Sequence, residues 1–403
     1  MARVLYVSYD GMAEPLGQSQ VIAYLERLAD ENEFHIVSFE KPADLDDPEK
    51  MAAVCARLSK SGIGWTPMRY HSRPSAPATA YDILRGQAAV LALVRRLRAH
   101  IIHVRSYVPA LMALPARRLI GTKLLFDIRG FWPDERVDGG LWPKGGALYR
   151  TAKQLERIFF RAADHVVTLT HASVPIIEAF GYWDDASPPI TVIPTCTDLD
   201  FFRPQRAVSK GPFTLGYVGS VGTWYLFDEV VAFFKAIRER RPDARLLVVN
   251  RSEHKVIRAA IEHAGIDPGT FEIIAAEHRD VPRYIGRMDA AAAIIKPCYS
   301  KIASAPTKLA EYLGCGVPCI GNVNVGDMEA ILEGERVGVA MTGFTATDHA
   351  VSADRLLRLL DEPDLEGRCV ATAKKLFSLD EGAGTYRRIY YSLTGTNSPA
   401  DVE

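Results

Sequence analysis

The sequence predicts an α/β protein built from two Rossmann-like domains, each a parallel sheet with helices on both faces. Short apolar runs recur along its 403 residues and alternate with amphipathic helical patterns, as parallel strands joined by helical crossovers must. The alternation pauses once, at the polar, basic and proline-bearing stretch Arg203 to Pro212, and then restarts, which is how a domain linker reads. An apolar fraction of 48% is ample for two sizeable cores. The expected domains are residues 1–205 and 211–380.

In the first half the strand-like runs are Val4 to Ser8, Phe34 to Phe39, Ile101 to Val104, Leu124 to Phe126, His165 to Leu169 and Thr191 to Ile193. Helical periodicity is clearest in Val21, Ile22, Leu25 and Leu28, and in Leu84, Ala88, Leu91 and Val94. The loop after the first strand carries Gly11 and Gly17 but is not Gly-x-Gly-x-x-Gly, and no acidic residue follows at the spacing a dinucleotide ribose needs. A nicotinamide or flavin enzyme is therefore set aside. From Arg85 to Arg129 there are nine basic residues, Arg105 and Arg129 among them, and one acid, Asp127. Such a run is either a solvated face or an attraction to anionic headgroups or a lipid-diphosphate acceptor. Phe131, Trp132, Leu141 and Trp142 follow in a stretch rich in Pro and Gly, read here as a loop. Large apolar side chains there are costly unless buried or bound, so Trp132 and Trp142 are acceptor or membrane-edge candidates.

In the second half the runs are Phe213 to Val218, Arg245 to Val249, Phe271 to Ala275, Ala290 to Ile295 and Val317 to Ile320. Asn322 to Leu332 fits a loop and a helix, and past it the chain reads as helical to about Leu393, with a polar tail. Between the last two runs, Pro306 is expected to open a helix reaching Leu313, with Ser304 or Thr307 as cap and Gly314 and Gly316 as stops. A helix start beyond the carboxyl end of a parallel strand presents free amides and a positive dipole end, which suit phosphate. Lys301 and Lys308 add cations, and Glu311 lies one turn on, where its carboxylate could grip a vicinal diol such as ribose. The same spacing also fits a capped surface helix with a solvated Lys–Glu pair.

Lysine plus arginine (48) and aspartate plus glutamate (49) nearly cancel, so global charge does not point to nucleic acid. Six cysteines, Cys55, Cys196, Cys298, Cys315, Cys319 and Cys369, show neither metal-ligand nor disulfide-framework spacing and read as free thiols in a reducing compartment. The first run reads as a strand and not as a leader, and no apolar stretch reaches the ~18 residues of a membrane span. The expected location is cytoplasmic, with a peripheral place on the inner face of the cell membrane if residues 85–146 bind anionic lipid.

The stretch Ile294 to Ile320 resembles the donor-binding segment of retaining glycosyltransferases of family 4, enzymes of the two-domain GT-B fold, of the polysaccharide-biosynthesis type. The likeness extends to the turn ITVIPTCTDLDFFRP and its Asp198, and along nearly the whole chain. It implies an acceptor-binding first domain and a donor-binding second domain facing across a cleft, with the last helix, about residues 381–395, crossing back to the first. It implies that Glu311, ahead of a Gly-Val-Pro turn, holds the donor ribose. It implies too that the loop at Gly17, Gln18 and Ser19 faces the donor diphosphate, Gly17 allowing close approach. Asp127 stands where relatives often place a histidine near the sugar. It could take the acceptor proton or bond a sugar hydroxyl, with Arg129 holding an anionic group, or the two could be a structural ion pair. His103 and Arg105, at the preceding strand end, are further acceptor-side candidates.

Two departures from the family pattern stand out. After the strand ending at Val218, relatives carry an Arg and a Lys for the leaving diphosphate, whereas this chain has Gly219, Ser220, Gly222, Thr223, Trp224 and Tyr225. Arg251, Lys301, Lys308 and the amides of Gly219, Ser220 and Thr223 are the expected substitutes. Eight residues before Glu311, a second family glutamate is replaced by Ala303, leaving Ser304 or Lys301 to contact the sugar. The reaction implied is transfer from a nucleoside-diphosphate sugar to a hydroxyl of a lipid-linked or polysaccharide acceptor, without cofactor or metal. A nucleotide-sugar epimerase of the same architecture and a non-catalytic nucleotide-sugar-binding scaffold are the alternatives.

Overall fold

The computed structural model describes residues 1–184, 186–205 and 211–395. Residues 206–210 of the expected linker and the polar tail from 396 lie outside the described set. The chain forms two compact units, Met1–Pro194 with Leu379–Glu403, and Thr195–Ser378. The second unit therefore begins about ten residues before the expected boundary. Thr195 to Phe202 already pack there: Thr195 Oγ1 donates to the Ala305 carbonyl (2.8 Å), Thr197 pairs with Ser378, and Phe202 is buried in the second core.

The first unit is one seven-stranded parallel sheet. Its strands are β1 (Ala2–Ser8), β2 (Asn32–Glu40), β3 (Gly64–Arg69), β4 (Ile101–Arg105), β5 (Lys123–Asp127), β6 (His165–Thr168) and β7 (Ile190–Val192). Their order is β3-β2-β1-β4-β5-β6-β7. The central strands β1, β4 and β5 are almost wholly buried because helices cover both faces, which is why they appear in the sequence as unbroken apolar runs. β3 does not: it is a half-buried edge strand containing Pro67, a residue tolerated where no further neighbour needs its amide. The closing helix, Leu379–Thr394, buries Leu379, Gly382, Ala383, Tyr386, Ile389 and Tyr390, one helical face, within this unit.

The second unit is a six-stranded parallel sheet of β8 (Thr214–Val218), β9 (Arg245–Val249), β10 (Phe271–Ile274), β11 (Ala290–Ala292), β12 (Cys319–Asn322) and β13 (Gly338–Met341). The order is β10-β9-β8-β11-β12-β13. The stretch past Leu332, read from sequence as helical, contains β13. Four residues, Gly-Val-Ala-Met, are too few to show a period of two.

Both sheets reverse their direction of growth once, between β1 and β4 in the first unit and between β8 and β11 in the second. At such a point the loops leaving neighbouring strands part to opposite faces, and a crevice opens at the carboxyl ends. Asp10 and Arg105 stand at the first, and the Gly219–Leu226 and Ala293–Pro306 segments at the second.

Candidate active site

In the second unit the segment after β8 folds over the one after β11. Leu226 N–H donates to the Ile294 carbonyl (3.1 Å) and Lys296 N–H to the Trp224 carbonyl (2.8 Å), and Tyr225 pairs with Ile295. Gly219 at φ +107°, Gly222 at +83° and Thr223 at +47° supply the left-handed turns. This fold-back delivers three aromatic rings to two lysines. Lys301, buried in the turn Tyr299–Ala303, sets its ammonium 3.9 Å from the Trp224 ring centroid. Lys308 Nζ lies 4.1 Å from the Tyr217 centroid and 3.8 Å from that of Tyr225. Only 7% of Lys308 is exposed, and its Nζ has no hydrogen-bond partner. A Cβ on Gly219 would sit 3.5 Å from that nitrogen, so glycine leaves the approach to it open.

The helix carrying Lys308 runs from Thr307 to Gly314. Pro306 is its cap and not its first residue, and no side chain bonds the free end, so the expected capping by Ser304 or Thr307 does not form. The first-turn amides are accordingly uncapped by side chains. Gly314 and Gly316 do end the helix. A Cβ on Gly314 would meet the Phe202 carbonyl at 2.8 Å, and Gly316 sits at φ +76°. Tyr312 locks the helix to the sheet: its hydroxyl accepts from Val218 N–H (2.8 Å) and donates to the Ala292 carbonyl (3.4 Å).

Glu311 is half-buried one turn beyond Lys308. Burial pushes its carboxyl up to about 7, against the pull of Lys308, and pushes the Lys308 ammonium down to about 7, against that of Glu311. Burial thus shifts two neighbouring ionisable groups in opposite directions, each toward its neutral form. Ala303, in place of the family's second glutamate, is fully buried, while Ser304 is half-buried beside it. Arg251 does not join the lysine group through any contact. It is exposed at the rim of a cavity of about 210 Å³ at the carboxyl ends of β8 and β9, lined also by Gly219, Ser220, Asn250 and Glu253. There Asn250 Nδ2 donates to the Gly219 carbonyl and to Glu253 Oε2 (both 2.9 Å), and Glu253 Oε2 also accepts from Val221 N–H (3.0 Å).

In the first unit Arg105 and Asp127 face each other in register at the ends of β4 and β5. Asp127 is 1% exposed; its Oδ2 accepts from Tyr386 Oη (3.0 Å) and lies 3.7 Å from Arg129 Nη1 and 3.9 Å from His103 Nε2. His103 Nδ1 meets Tyr390 Oη at 2.8 Å, so two of the closing helix's three tyrosines, Tyr386 and Tyr390, end in this cluster. Arg105 Nε donates to Asp10 (3.2 Å). Burial pushes the Asp127 carboxyl up, but Arg129, His103 and Arg105 outweigh it and hold it below its ordinary value. Burial likewise holds the His103 imidazole below its usual range, Asp127 only partly opposing. His103 Nε2, Arg105 Nη1 and Asp127 Oδ1 are buried without a hydrogen bond. Beside them Ser106 (φ +73°) and Arg129 (φ +55°) hold strained backbone, a feature that clusters at functional sites.

The structure gives the glycine loop an internal reason for its residues. A Cβ on Gly17 would come within 2.1 Å of the Gly11 carbonyl. Gln18 Nε2 donates to the Met12 carbonyl (2.5 Å), Gln18 Oε1 accepts from Arg57, and Ser19 Oγ donates to the Pro15 carbonyl. The loop amides of Met12 and Ala13 donate to buried Glu40. Gln18 and Ser19 thus brace the loop, Gln18 tying it to Arg57 as well. The Trp132 stretch, expected as a loop, is a helix from Trp132 to Asp138 opened by Pro133. Trp132 stacks on Tyr107 (5.9 Å, 28°) and meets Trp142 edge-on (5.2 Å, 88°), so each ring is partly covered by another. The basic run is also less unopposed than its sequence suggests, for Arg117 and Lys123 share Asp164.

Sequence reasoning missed the tyrosine and tryptophan partners of the two lysines. Only the juxtaposition of the β8 and β11 segments assembles them. Among the described residues no group of three His, Cys, Asp or Glu side chains is placed to hold a metal ion, and no helix is long and apolar enough to cross a membrane.

Two parallel-sheet units of this kind, with the last helix returned to the first, define the GT-B fold. Residues 19–196 match the glycosyl transferase 4-like domain and residues 198–376 match glycosyl transferases group 1. The chain therefore belongs to the group 1 glycosyltransferases, and it is an enzyme of that class. No curated protein matches it by sequence. Among solved structures it is similar to sucrose-phosphate synthase from Thermosynechococcus elongatus (TM-score 0.76, 16% identity, covering 98% of this chain and 100% of that one). A glycosyltransferase from Rickettsia africae is similar at TM-score 0.71 and 16% identity over 98% and 99% of the two chains. Anabaena HepE, solved in complex with UDP-glucose, is similar at TM-score 0.68 and 14% identity over 97% and 100%.

Proposed function

We propose that the protein is a retaining, metal-independent glycosyltransferase that moves a sugar from a nucleoside diphosphate to a hydroxyl of a lipid-linked or polysaccharide acceptor. One observation carries the donor site: the buried, unpartnered Lys308 ammonium at the uncapped head of the Thr307–Gly314 helix, at the reversal point of the second sheet. A diphosphate placed there gains the lysine, the helix amides and Lys301 together. Glu311 then faces the ribose. In a front-side transfer the bond from the sugar's anomeric carbon to the diphosphate breaks while a bond to the acceptor oxygen forms on the same face. The acceptor's proton passes to the departing phosphate oxygen. The protein's part is to orient the two and to stabilise charge on the leaving group, with cations that are already in place and desolvated.

The experiment is a thermal-shift screen of nucleoside diphosphates, with UDP first because a structural neighbour binds UDP-glucose. One base should stand out, and its stabilisation should vanish in Glu311→Ala. Affinity should also depend on pH. Binding of an anion favours protonated Lys308, so affinity should fall as pH rises above 7, by up to about tenfold per unit until the liganded lysine itself titrates. A pH-independent affinity between 6.5 and 8.5, or no response to any diphosphate, would remove the donor site from this helix.

A peripheral place on an anionic membrane is part of the same reading. Its support is the stretch 139–155, which holds no acidic residue and exposes Leu141 (65%), Lys144, Leu148 (59%) and Arg150. The protein should sediment with phosphatidylglycerol vesicles at low salt and stay in solution with phosphatidylcholine vesicles. Leu148→Asp with Arg150→Glu should release it, and equal sedimentation of that variant would discard the surface.

A further inference from the structure

Toward the β3 edge of the first unit's sheet lies a cluster that the donor and acceptor assignments above do not use. Asp82, in the helix Ser75–Leu97, is completely buried. Its Oδ2 accepts from Tyr9 Oη (3.0 Å) and from His71 N–H (2.9 Å), and its Oδ1 meets His71 Nδ1 at 2.6 Å. Tyr9 follows β1, and Tyr70 and His71 follow β3, so the cluster stands at the carboxyl edge of the sheet, where open α/β sheets bind ligands. Tyr9 is braced by Phe39 (5.0 Å) and Tyr70 (5.3 Å). Its neighbour Asp10 takes the hydrogen bond from Arg105, which links the cluster to the Asp127 group.

The arrangement fixes one side chain for outside use. With Nδ1 bonded to a buried carboxylate, the His71 ring carries its proton there and turns Nε2 outward as an acceptor. That ring is 34% exposed, and Nε2 has no partner among the described residues. Tyr81 meets His71 edge-on (5.2 Å, 80°) and is itself 53% exposed. Arg85, one turn further along the helix, lays its guanidinium 5.5 Å from the Tyr81 centroid. A half-exposed aromatic ring, an oriented acceptor at its edge and a forked donor over one of its faces thus stand side by side. A pyranose ring matches all three, since its axial C–H face stacks on an aromatic ring while its rim hydroxyls donate and accept.

We propose that Tyr81, His71 and Arg85, with Asp82 as the positioning residue behind His71, form a saccharide subsite for a pyranose ring of the acceptor. The inference rests on the reading that the acceptor is a glycan or carries one. It names a place outside the Asp127 group where a sugar of that acceptor is gripped.

The test uses the full chain and saturation-transfer NMR with the methyl pyranosides of glucose, galactose, mannose and N-acetylglucosamine, without nucleotide. At least one glycoside should receive saturation, and Tyr81→Ala, His71→Ala and Arg85→Ala should each weaken its binding by about fivefold, the scale of one stacking or hydrogen-bond contact. Asp82→Asn should shift the ¹⁵N signals of His71 away from the Nδ1–H tautomer, a change that lost packing alone does not produce. Thermal shifts with UDP on the same samples monitor folding and the donor site, which these substitutions should leave unchanged. No saturation of any glycoside, or saturation equal in wild type and Tyr81→Ala, overturns the subsite even where UDP still binds. Loss of UDP binding in the wild type would instead strike the donor reading.

Discussion

Lys308→Met is expected to lower sugar transfer by about 10²- to 10³-fold, the usual effect of removing one group that stabilises a developing negative charge in a desolvated site. The protein should remain folded. In the absence of donor the ammonium sits between the Tyr217 and Tyr225 rings without a hydrogen bond, 7% exposed, and burial has already pushed it down to about 7. Between that value and the ordinary lysine range the unfolded chain binds the proton that the folded one has lost. Lys308 therefore weakens the fold most where it is still protonated, and its contribution to stability improves as pH rises through this window. Methionine fills the same space with no charge to desolvate. Its melting temperature at pH 7 should equal or exceed that of the wild type, while single-turnover release of the nucleotide collapses. A variant that kept transfer within about threefold of wild type would show that the leaving group is stabilised elsewhere, since one charge-assisted contact is worth more than that.

Asp127→Ala should cost about 3–5 kcal/mol of folding stability, measured by chemical denaturation, because it strands buried cations and removes an anchor of the closing helix. Arg129 loses its ion-pair partner, Arg105 loses a neighbouring opposite charge, and Tyr386 Oη loses its acceptor. Tyr386→Phe, which removes only the hydroxyl, should cost about 1–3 kcal/mol. Because the Asp127 carboxyl is held below its ordinary value, its stabilising effect is present above that ordinary value and is lost as pH falls through the lower, folded one. These figures separate the two readings of Asp127. If Asp127→Ala melted at the wild-type temperature yet lost transfer, the group would be a catalytic one. A large loss of stability, with transfer retained in Asp127→Asn, makes it the tie between sheet and closing helix.

Much of the architecture is legible before folding is considered. Buried parallel strands need apolar side chains on both faces, so β1, β4, β5, β9 and the Ala290–Ile295 run announce themselves. β3 and β13 do not, since an edge strand is half-solvated and four residues carry no period. The candidate donor helix is legible for a local reason: Lys308 and Glu311 lie three residues apart on one face, and Gly314 and Gly316 mark its end. Its cap was misplaced by one residue because Pro306 fits equally well just outside a helix and in its first turn.

The amino-acid sequence by itself determined two parallel α/β units, a lysine and a glutamate one helical turn apart, and membership of a transferase family. Periodicity, turn residues and short motifs act over a few residues, and a sequence displays them directly. Tertiary structure alone decided that Lys308 loses its water between Tyr217 and Tyr225, that Asp127 meets Tyr386 from 259 residues away, and that Asp82 turns His71 outward. Those contacts depend on which loops meet at the carboxyl ends of the sheets. Burial, which sets the charge state of each group, exists only once the chain has closed around it.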